Sequence, residues 1–136
     1  MTISFTARAA GADEEPDYAC LSAGVSEHED GTGMVLIFQC GLFEPDEQNV
    51  ALGMDTYCLV TADQGTAYGG VTEVTLRDGV LRVVVGTDDL EALGLNEPEI
   101  EAVLAVDDDS VEQLRQGLRR ILAYGRADAY PAVVQL

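Results

Sequence analysis

Carboxylate side chains are the groups in this chain best suited to chemistry, and three clusters of them stand at residues 13–15, 44–47 and 107–109. Two carboxylates act as general acid and base when a shaped cleft separates their pKa values. The first two clusters lie in segments rich in Pro or Gly, where charged side chains are expected to be solvated. We therefore predict no catalytic pair from them.

The third cluster, Asp107-Asp108-Asp109, offers the oxygen ligands that calcium prefers. However, an EF-hand loop alternates its ligands, has glycine at position 6 and ends in glutamate at position 12. Here the carboxylates are consecutive and precede a helical pattern, where they can satisfy free backbone N–H groups. The pattern predicts helix capping, and we expect neither a metal nor a cofactor.

Other reactive residues also fail to form a known motif. His28, the single histidine, lies between Glu27 and Glu29 in a predicted loop, whereas a hydrolase triad needs an imidazole held by a buried carboxylate. Gly69-Gly70 is followed by a strand pattern, with neither the lysine nor the spacing of a phosphate-binding loop. Tyr57 and Tyr68 are predicted to be core aromatics. We expect no catalytic residue and interpret the chain as a non-enzyme.

The net charge of −18 arises from 25 acidic and seven basic residues, and all seven are arginines. No basic residue occurs between Arg8 and Arg77, a stretch that contains thirteen carboxylates. Nucleic acid is a poor partner for such a chain, because its binding requires Lys and Arg to neutralise phosphates. A basic protein is a natural partner. A general bias toward solubility, or a salt-tolerant host, is the alternative explanation of the charge.

Composition indicates one folded domain, residues 1–136, since 47% of the residues are hydrophobic. The first residues have no basic stretch followed by an apolar one, and the longest apolar run, Met34 to Phe38, is too short to span a bilayer. Cys20, Cys40 and Cys58 are widely spaced and are predicted to be buried, reduced thiols. We expect a cytoplasmic protein that is not bound to a membrane.

Alternating or continuous apolar segments predict strands over most of the first 86 residues and near the C-terminus. Between them, residues 11–16 are interpreted as an acidic break, residues 27–33 as a turn, and residues 42–52 as a connection with room for one helical turn. Residues 34–40 are apolar on both faces, which predicts a strand covered above and below. The predicted strands cover residues 2–9, 18–25, 34–40, 55–61, a segment after Gly65, both arms of the hairpin below, residues 98–106 and an edge at Val133-Val134.

The hairpin around Asp78-Gly79 is the most specific local prediction. An Asp-Gly pair between alternating segments favours a type I′ turn, because both residues must adopt positive φ. A two-residue loop then places Arg77 opposite Val80 and Thr75 opposite Arg82. The same register puts Leu76 opposite Leu81, Val74 opposite Val83, and Glu73 diagonal to Arg82.

Two helices follow the hairpin. Thr87 is predicted to cap a short one that ends at Gly94, with Leu90 and Leu93 facing inward. Asp109 and Glu112 resemble a capping box at the start of a longer one that ends before Gly125. Gly117 is predicted to let this helix approach a sheet closely. The apolar stripe of the longer helix consists of Val111, Leu114, Leu118, Ile121 and Leu122.

These elements predict an α+β fold: a mainly antiparallel sheet of about six to seven strands, with one short and one longer helix packed on one face. From Tyr57-Cys-Leu59 onward the chain resembles immunity protein 10 of bacterial polymorphic toxin systems. The matching features are the Tyr-x-Leu strand, Tyr68-Gly69-Gly70 at the entry of the next strand, the hairpin, the short Leu-Gly-Leu helix, and the strand and Leu-rich helix that follow. The resemblance covers roughly residues 18–124.

The resemblance implies that a neighbouring gene encodes a toxin, often a nuclease, which this chain binds and neutralises without catalysis. It also implies that Gly69 and Gly70 allow a bulge or a close approach where Tyr68 turns inward. An acidic regulator that imitates nucleic acid in the basic groove of a DNA-binding protein is the alternative, and an enzyme with an unrecognised site is a third. The carboxylates that we predict to contact a basic partner are Asp13, Glu14, Glu15, Asp17, Glu27, Glu29, Asp30, Glu44, Asp46 and Glu47.

Overall fold

The computed structural model describes residues 2–15, 17, 19–43, 45–52, 55–62 and 65–136. Predictions that concern Pro16, Tyr18, Glu44, Asp63 and Gln64 lie outside these residues. Within the described ranges, ten strands form two five-stranded sheets, accompanied by three short or medium-length α-helices. The predicted α+β class is therefore confirmed.

Three α-helices interrupt the series of strands along the described chain. The helices are α1 (Glu47–Ala51), α2 (Leu90–Leu93), which follows a 3-10 turn at Thr87–Asp89, and α3 (Asp108–Ile121). The strands are β1 (Thr2–Ala7), β2 (Ala9–Glu15), β3 (Cys20–Ser26), β4 (Val35–Gly41), β5 (Cys58–Thr61), β6 (Thr66–Tyr68), β7 (Val71–Arg77), β8 (Val80–Val85), β9 (Glu99–Leu104) and β10 (Val133–Gln135).

The first sheet has the order β1-β9-β8-β7-β10, and the second has the order β2-β3-β4-β5-β6. Neighbouring strands are antiparallel except for the parallel pairs β1–β9 and β10–β7. The chain passes from one sheet to the other at Arg8 and again at Gly69-Gly70. Both glycines have positive φ, 72° and 80°, so this second crossing uses backbone conformations that other residues rarely adopt.

The predicted hairpin is confirmed in register and turn type. Asp78 and Gly79 have φ of 52° and 74°, and Arg77 pairs with Val80, as the two-residue loop requires. Thr75 lies opposite Arg82. Arg82 donates to Glu73 across the hairpin at 2.6 Å and to Glu99 of β9 at 3.1 Å, so its guanidinium ties three strands together on the outer face.

The strands are more numerous than the predicted six or seven, and they divide into two sheets. The predicted break at residues 11–16 is wrong, because residues up to Glu15 belong to β2. Asp13 and Glu15 point to solvent there, and an edge strand tolerates charged side chains that would be costly in a central strand. β6 and β10 have three residues each, too few for a clear alternating pattern.

Strand β4 is covered on one face and half open on the other, so the prediction that it is covered on both is wrong. Leu36 and Phe38 are fully buried between the sheets, whereas Val35 and Ile37 are half-buried on the outer face. The outer face of the second sheet is therefore partly apolar at β4. Tyr57 is fully buried, as predicted, and its hydroxyl donates to the Ala129 carbonyl at 3.0 Å.

Helix α3 packs on the inner face of β2, β3 and β4 through the predicted stripe, of which Leu114, Leu118 and Ile121 are fully buried. Its N-cap differs from the prediction. Asp107, not Asp109, accepts a hydrogen bond from the Ser110 N–H at 2.8 Å, because Asp107 has the extended backbone that a cap requires.

The predicted N-cap of the short helix is also wrong. Thr87 makes no capping hydrogen bond and instead begins the 3-10 turn that precedes α2. Gly94, with φ of 67°, ends α2 as predicted, and Leu93 is buried.

The contact between α3 and the second sheet requires a glycine at position 117. A Cβ atom added to Gly117 would lie 2.6 Å from the Cβ of Ala12 and 2.8 Å from that of Ala23, closer than real Cβ contacts. The predicted close approach is confirmed. Because β2 and α3 meet here, this contact also sets the distance between their polar side chains.

We expect Gly117→Ala to lower the free energy of unfolding by roughly 1–3 kcal/mol, the usual effect of overpacking a core. In an open helix position the same change would raise it by up to about 1 kcal/mol. Urea unfolding measures the difference. Adding Ala12→Gly, which removes the nearest Cβ, should recover part of the loss, and a Gly117→Ala variant as stable as the parent would contradict the packing described here.

Candidate functional site

The carboxylates predicted to contact a partner form two groups at opposite ends of the second sheet. Glu27, Glu29 and Asp30 lie in the turn between β3 and β4. The second group lies in the last residues of β2, opposite the start of β3, and near the connection between β4 and β5. Asp13 pairs with Ser22, so four residues of β3 lie between it and Glu27, a separation of roughly 15 Å or more. The second group comprises Asp13, Glu14, Glu15, Asp17, Asp46 and Glu47, whereas Glu44 lies outside the described residues.

Two carboxylates of the β3–β4 turn support the turn itself. Glu27 accepts a hydrogen bond from the Met34 N–H at 3.0 Å. Asp30 accepts from the N–H of Thr32 at 3.1 Å and from its hydroxyl at 2.7 Å, and these bonds lower the pKa of Asp30. Glu29 is exposed at the tip. These contacts give Glu27 and Asp30 a structural role.

At the other end, β2 and α3 form the walls of an open groove of about 480 Å³. Asp13 and Glu14 line it from β2, and Asp109 and Glu112 line it from α3. Arg120 also lines it and donates to Glu14 at 2.6 Å. Glu14, Asp109, Glu112 and Arg120 therefore share one surface, and Asp13 borders it at the edge of β2. We term this surface the β2–α3 groove.

Hydrogen bonds favour the charged forms of two carboxylates of α3 and its N-cap: Glu112, which lines the groove, and Asp107, which lies outside it. Arg115 and Gln116 hold the Glu112 carboxylate at 2.6 and 2.9 Å, and these hydrogen bonds, with that from Gln116 the larger cause, lower its pKa. The hydrogen bonds from Ser110 likewise lower the pKa of Asp107 at the start of α3. Both groups therefore stay ionised at neutral pH and at mildly acidic pH.

Sequence reasoning assigned Asp109 and Glu112 to helix capping and did not predict them as part of a binding surface. They are almost a hundred positions from Asp13 in the chain, so no local pattern connects them. The one sequence signal that points to this pairing is Gly117 in the apolar stripe, since it predicts a close approach of α3 to a sheet. It does not identify the strand that α3 approaches.

Apolar side chains are exposed beside this acidic end. Phe43, Val50 and Leu52, in the connection between β4 and β5, are 74%, 58% and 62% exposed. The Phe43 carbonyl accepts a hydrogen bond from the Tyr124 hydroxyl at 2.7 Å, and both residues border a recess that Arg120 also lines. Arg120 therefore joins the β2–α3 groove to the surface around Phe43.

Among the described residues, the single histidine and the three thiols lie apart from the acidic groove. His28 is exposed in the β3–β4 turn. In the described part of the chain, no three His, Cys, Asp or Glu side chains are placed to hold a metal ion. Burial raises the pKa of the Cys40 and Cys58 thiols to about 11, and it also raises that of Cys20, so all three thiols are poor nucleophiles at neutral pH.

Tyr68 differs from its prediction. Its side chain is 43% exposed on the outer face of the second sheet, opposite Cys58, and it does not turn into the core. The positive φ of Gly69 and Gly70 directs the following strand into the first sheet, and Asp89 occupies the space that a Gly70 side chain would need. Gly70 thus permits a close approach, as predicted, whereas a Cβ at Gly69 would meet its nearest neighbour, Ala129, at an ordinary 3.5 Å.

The described residues thus combine an α+β fold with an acidic groove and exposed apolar side chains. The family model for immunity protein 10 matches residues 6–112. The chain belongs to this family. The match includes β2, most of both sheets and the first residues of α3, so both walls of the β2–α3 groove lie partly within it.

Searches of the curated proteins and of the solved structures gave no match. None of the helices in the described ranges is long and apolar enough to cross a bilayer.

The thiol environments predict a measurable order of reactivity. At pH 8 we expect Cys40 and Cys58 to react with iodoacetamide much more slowly in the native protein than in urea, because burial keeps them protonated. Cys20 is only partly buried and should react first. Mass spectrometry of the alkylated protein, with Cys20→Ser as control, measures this order. Equal native rates for the three thiols would contradict the burial described here.

Proposed function

We propose that this protein is an immunity protein that binds a cognate bacterial toxin and neutralises it by covering a basic surface. Membership of the immunity protein 10 family is the observation that carries the proposal. Immunity protein 10 is not a family of enzymes. The poorly nucleophilic thiols and the isolated histidine of this chain are compatible with a role that needs no catalysis. The protein would act by occupying a surface of the toxin.

The net charge of −18 supports a toxin with a basic surface, and we propose a nuclease. Nucleases bind phosphates through Lys and Arg, so their substrate sites are positively charged. An acidic inhibitor complements such a site, and this complementarity increases the rate of encounter and disfavours neutral or acidic partners.

We propose that the contact surface is the acidic end of the second sheet. The β2–α3 groove supplies Asp13, Glu14, Asp109 and Glu112, and Glu15, Asp17, Asp46 and Glu47 extend the charge around it. Exposed charges at the rim of an interface contribute little affinity each, whereas apolar anchors at its centre contribute most of it. Phe43, Val50 and Leu52 are suitable anchors. Glu27, Glu29, Asp30 and Glu44 remain predicted contacts.

Co-expression with the toxin encoded beside this gene tests the function. We expect cells that make the toxin to stop growing, and cells that also make this protein to grow normally, because the bound toxin cannot reach its substrate. Growth curves measure the rescue. An acidic protein of unrelated fold is the control, and equal rescue by that control, or no rescue by this protein, would refute the proposed function.

Neutralising the groove should weaken the complex. We expect the combined change Asp13→Asn, Asp109→Asn and Glu112→Gln to raise the Kd for the toxin about tenfold or more, since close charge pairs across an interface contribute substantially to affinity. Isothermal titration calorimetry with a catalytically inactive toxin measures the effect.

A matched control changes three exposed acids near the Gly69-Gly70 crossing, at the other edge of the second sheet. Asp88→Asn, Glu91→Gln and Asp128→Asn produce the same net charge, −18 + 3 = −15. We expect Arg120→Gln to lower the Kd for the toxin, because it removes the groove's guanidinium. The protein should stay folded, since the exposed pair of Arg120 with Glu14 contributes little to stability. Equal Kd values for both triple variants would exclude the groove as the contact surface.

A further inference from the structure

The four edge strands of the two sheets differ greatly in length. β6 and β10 have three residues each, and such short edges offer little backbone to another chain. β1 has six residues and β2 has seven. In the described part of the chain, each of these two longer strands has a neighbour on one side only, so each presents an open row of backbone groups.

The surroundings of β2 favour access to its backbone. Its first four residues, Ala9-Ala10-Gly11-Ala12, have small or no side chains and are half-buried. The β2–α3 groove lies on one face of the strand, and a second open groove of about 450 Å³ lies on the other. The two grooves share Ala12, Asp13 and Gln113, so they meet along β2.

The hydrogen bonds of β3 show which amides of β2 face outward. The Ser26 carbonyl accepts from the Arg8 N–H at 3.0 Å, whereas the Glu27 N–H donates to Met34 at 2.8 Å. Even-numbered residues of β3 therefore face β2. Their partners in β2 are its odd-numbered residues, and because the direction of the backbone groups alternates, the amides of Ala10, Ala12 and Glu14 point to the open edge.

Charge indicates what chemistry would occupy this edge. Asp13 and Glu14 of β2, together with Asp109 and Glu112 across the groove, surround its second half with carboxylates. An incoming strand with Arg or Lys would place cations among them. A second copy of this chain is disfavoured, because each copy carries a charge of −18.

We propose that an extended, basic segment of the toxin binds the open edge of β2 as a sixth strand of the second sheet. Its backbone would pair with Ala10, Ala12 and Glu14, and a basic side chain on the α3 side would lie between Glu14 and the Asp109–Glu112 wall. Strand addition of this kind takes affinity from main-chain hydrogen bonds and specificity from side-chain sites beside the edge. This inference rests on the proposed function, since it requires a toxin partner.

Amide hydrogen exchange in the full-length protein, followed by NMR with and without the inactive toxin, tests the inference. In the free protein the amides of Ala10, Ala12 and Glu14 should exchange quickly, and those of Ala9, Gly11 and Asp13 slowly. On binding, we expect the exchange of the Ala10, Ala12 and Glu14 amides to slow by about tenfold or more, because a new strand would protect them. The amides that face β3 serve as an internal control.

A chemical variant gives an independent measurement. Because residue 20 is a cysteine, a synthetic segment 1–19 can be ligated to residues 20–136 to give the full chain with N-methyl-Ala12. This change removes one outward donor, and we expect the Kd for the toxin to rise about tenfold. N-methyl-Ser4 is the matched control, since the Ala105–Ala7 hydrogen bond implies that Ser4 faces the open edge of β1. Circular dichroism verifies that both variants fold.

The outcomes separate the two proposals. If the toxin binds but the exchange of Ala10, Ala12 and Glu14 is unchanged, strand addition is wrong and the proposed function stands. If the toxin does not bind in calorimetry, the proposed function itself fails. Protection that rises with protein concentration in the absence of toxin would identify a second copy as the occupant and would also overturn the inference. If the N-methyl-Ala12 variant does not fold, the exchange experiment still tests strand addition.

Discussion

The close contact between α3 and β2 is the constraint on which the candidate site depends. Gly117 brings the helix to the Cβ atoms of Ala12 and Ala23, at a distance where any side chain would collide. This approach places the carboxylates at the start of α3 beside those at the end of β2. A larger separation would leave these acidic residues on two separate surfaces, whereas the observed one places four of them around a single groove.

The charge of the protein is distributed in a way that makes this concentration effective. Its arginines mostly pair with acids inside the fold, as Arg82 does with Glu73 and Glu99 and Arg126 does with Asp55 and Asp128. The groove carboxylates Glu14 and Glu112 are likewise paired, with Arg120 and Arg115, so the surplus charge comes from the acids that outnumber the arginines. Self-repulsion among them destabilises the compact state, and the fully buried core of both sheets offsets this cost.

Local sequence patterns were sufficient to predict the hairpin, the stripe of α3 and the fold class. Asp78-Gly79 specifies its own turn, and the turn fixes the register of its two strands. The division into two sheets was not predicted, because it depends on where Arg8 and Gly69-Gly70 redirect the chain and on an acidic segment that forms an edge strand. The groove was only half predicted for the same reason: Asp13 and Glu14 were identified, but Asp109 and Glu112 become their neighbours through a tertiary contact.

We propose that surplus negative charge at the end of the second sheet recruits a positively charged toxin. Stopped-flow association of this protein with the inactive toxin over a series of NaCl concentrations tests it most directly. We expect an association rate constant that falls steeply as salt screens the charges, while the dissociation rate constant changes little. An association rate constant that is the same at low and high salt would contradict it.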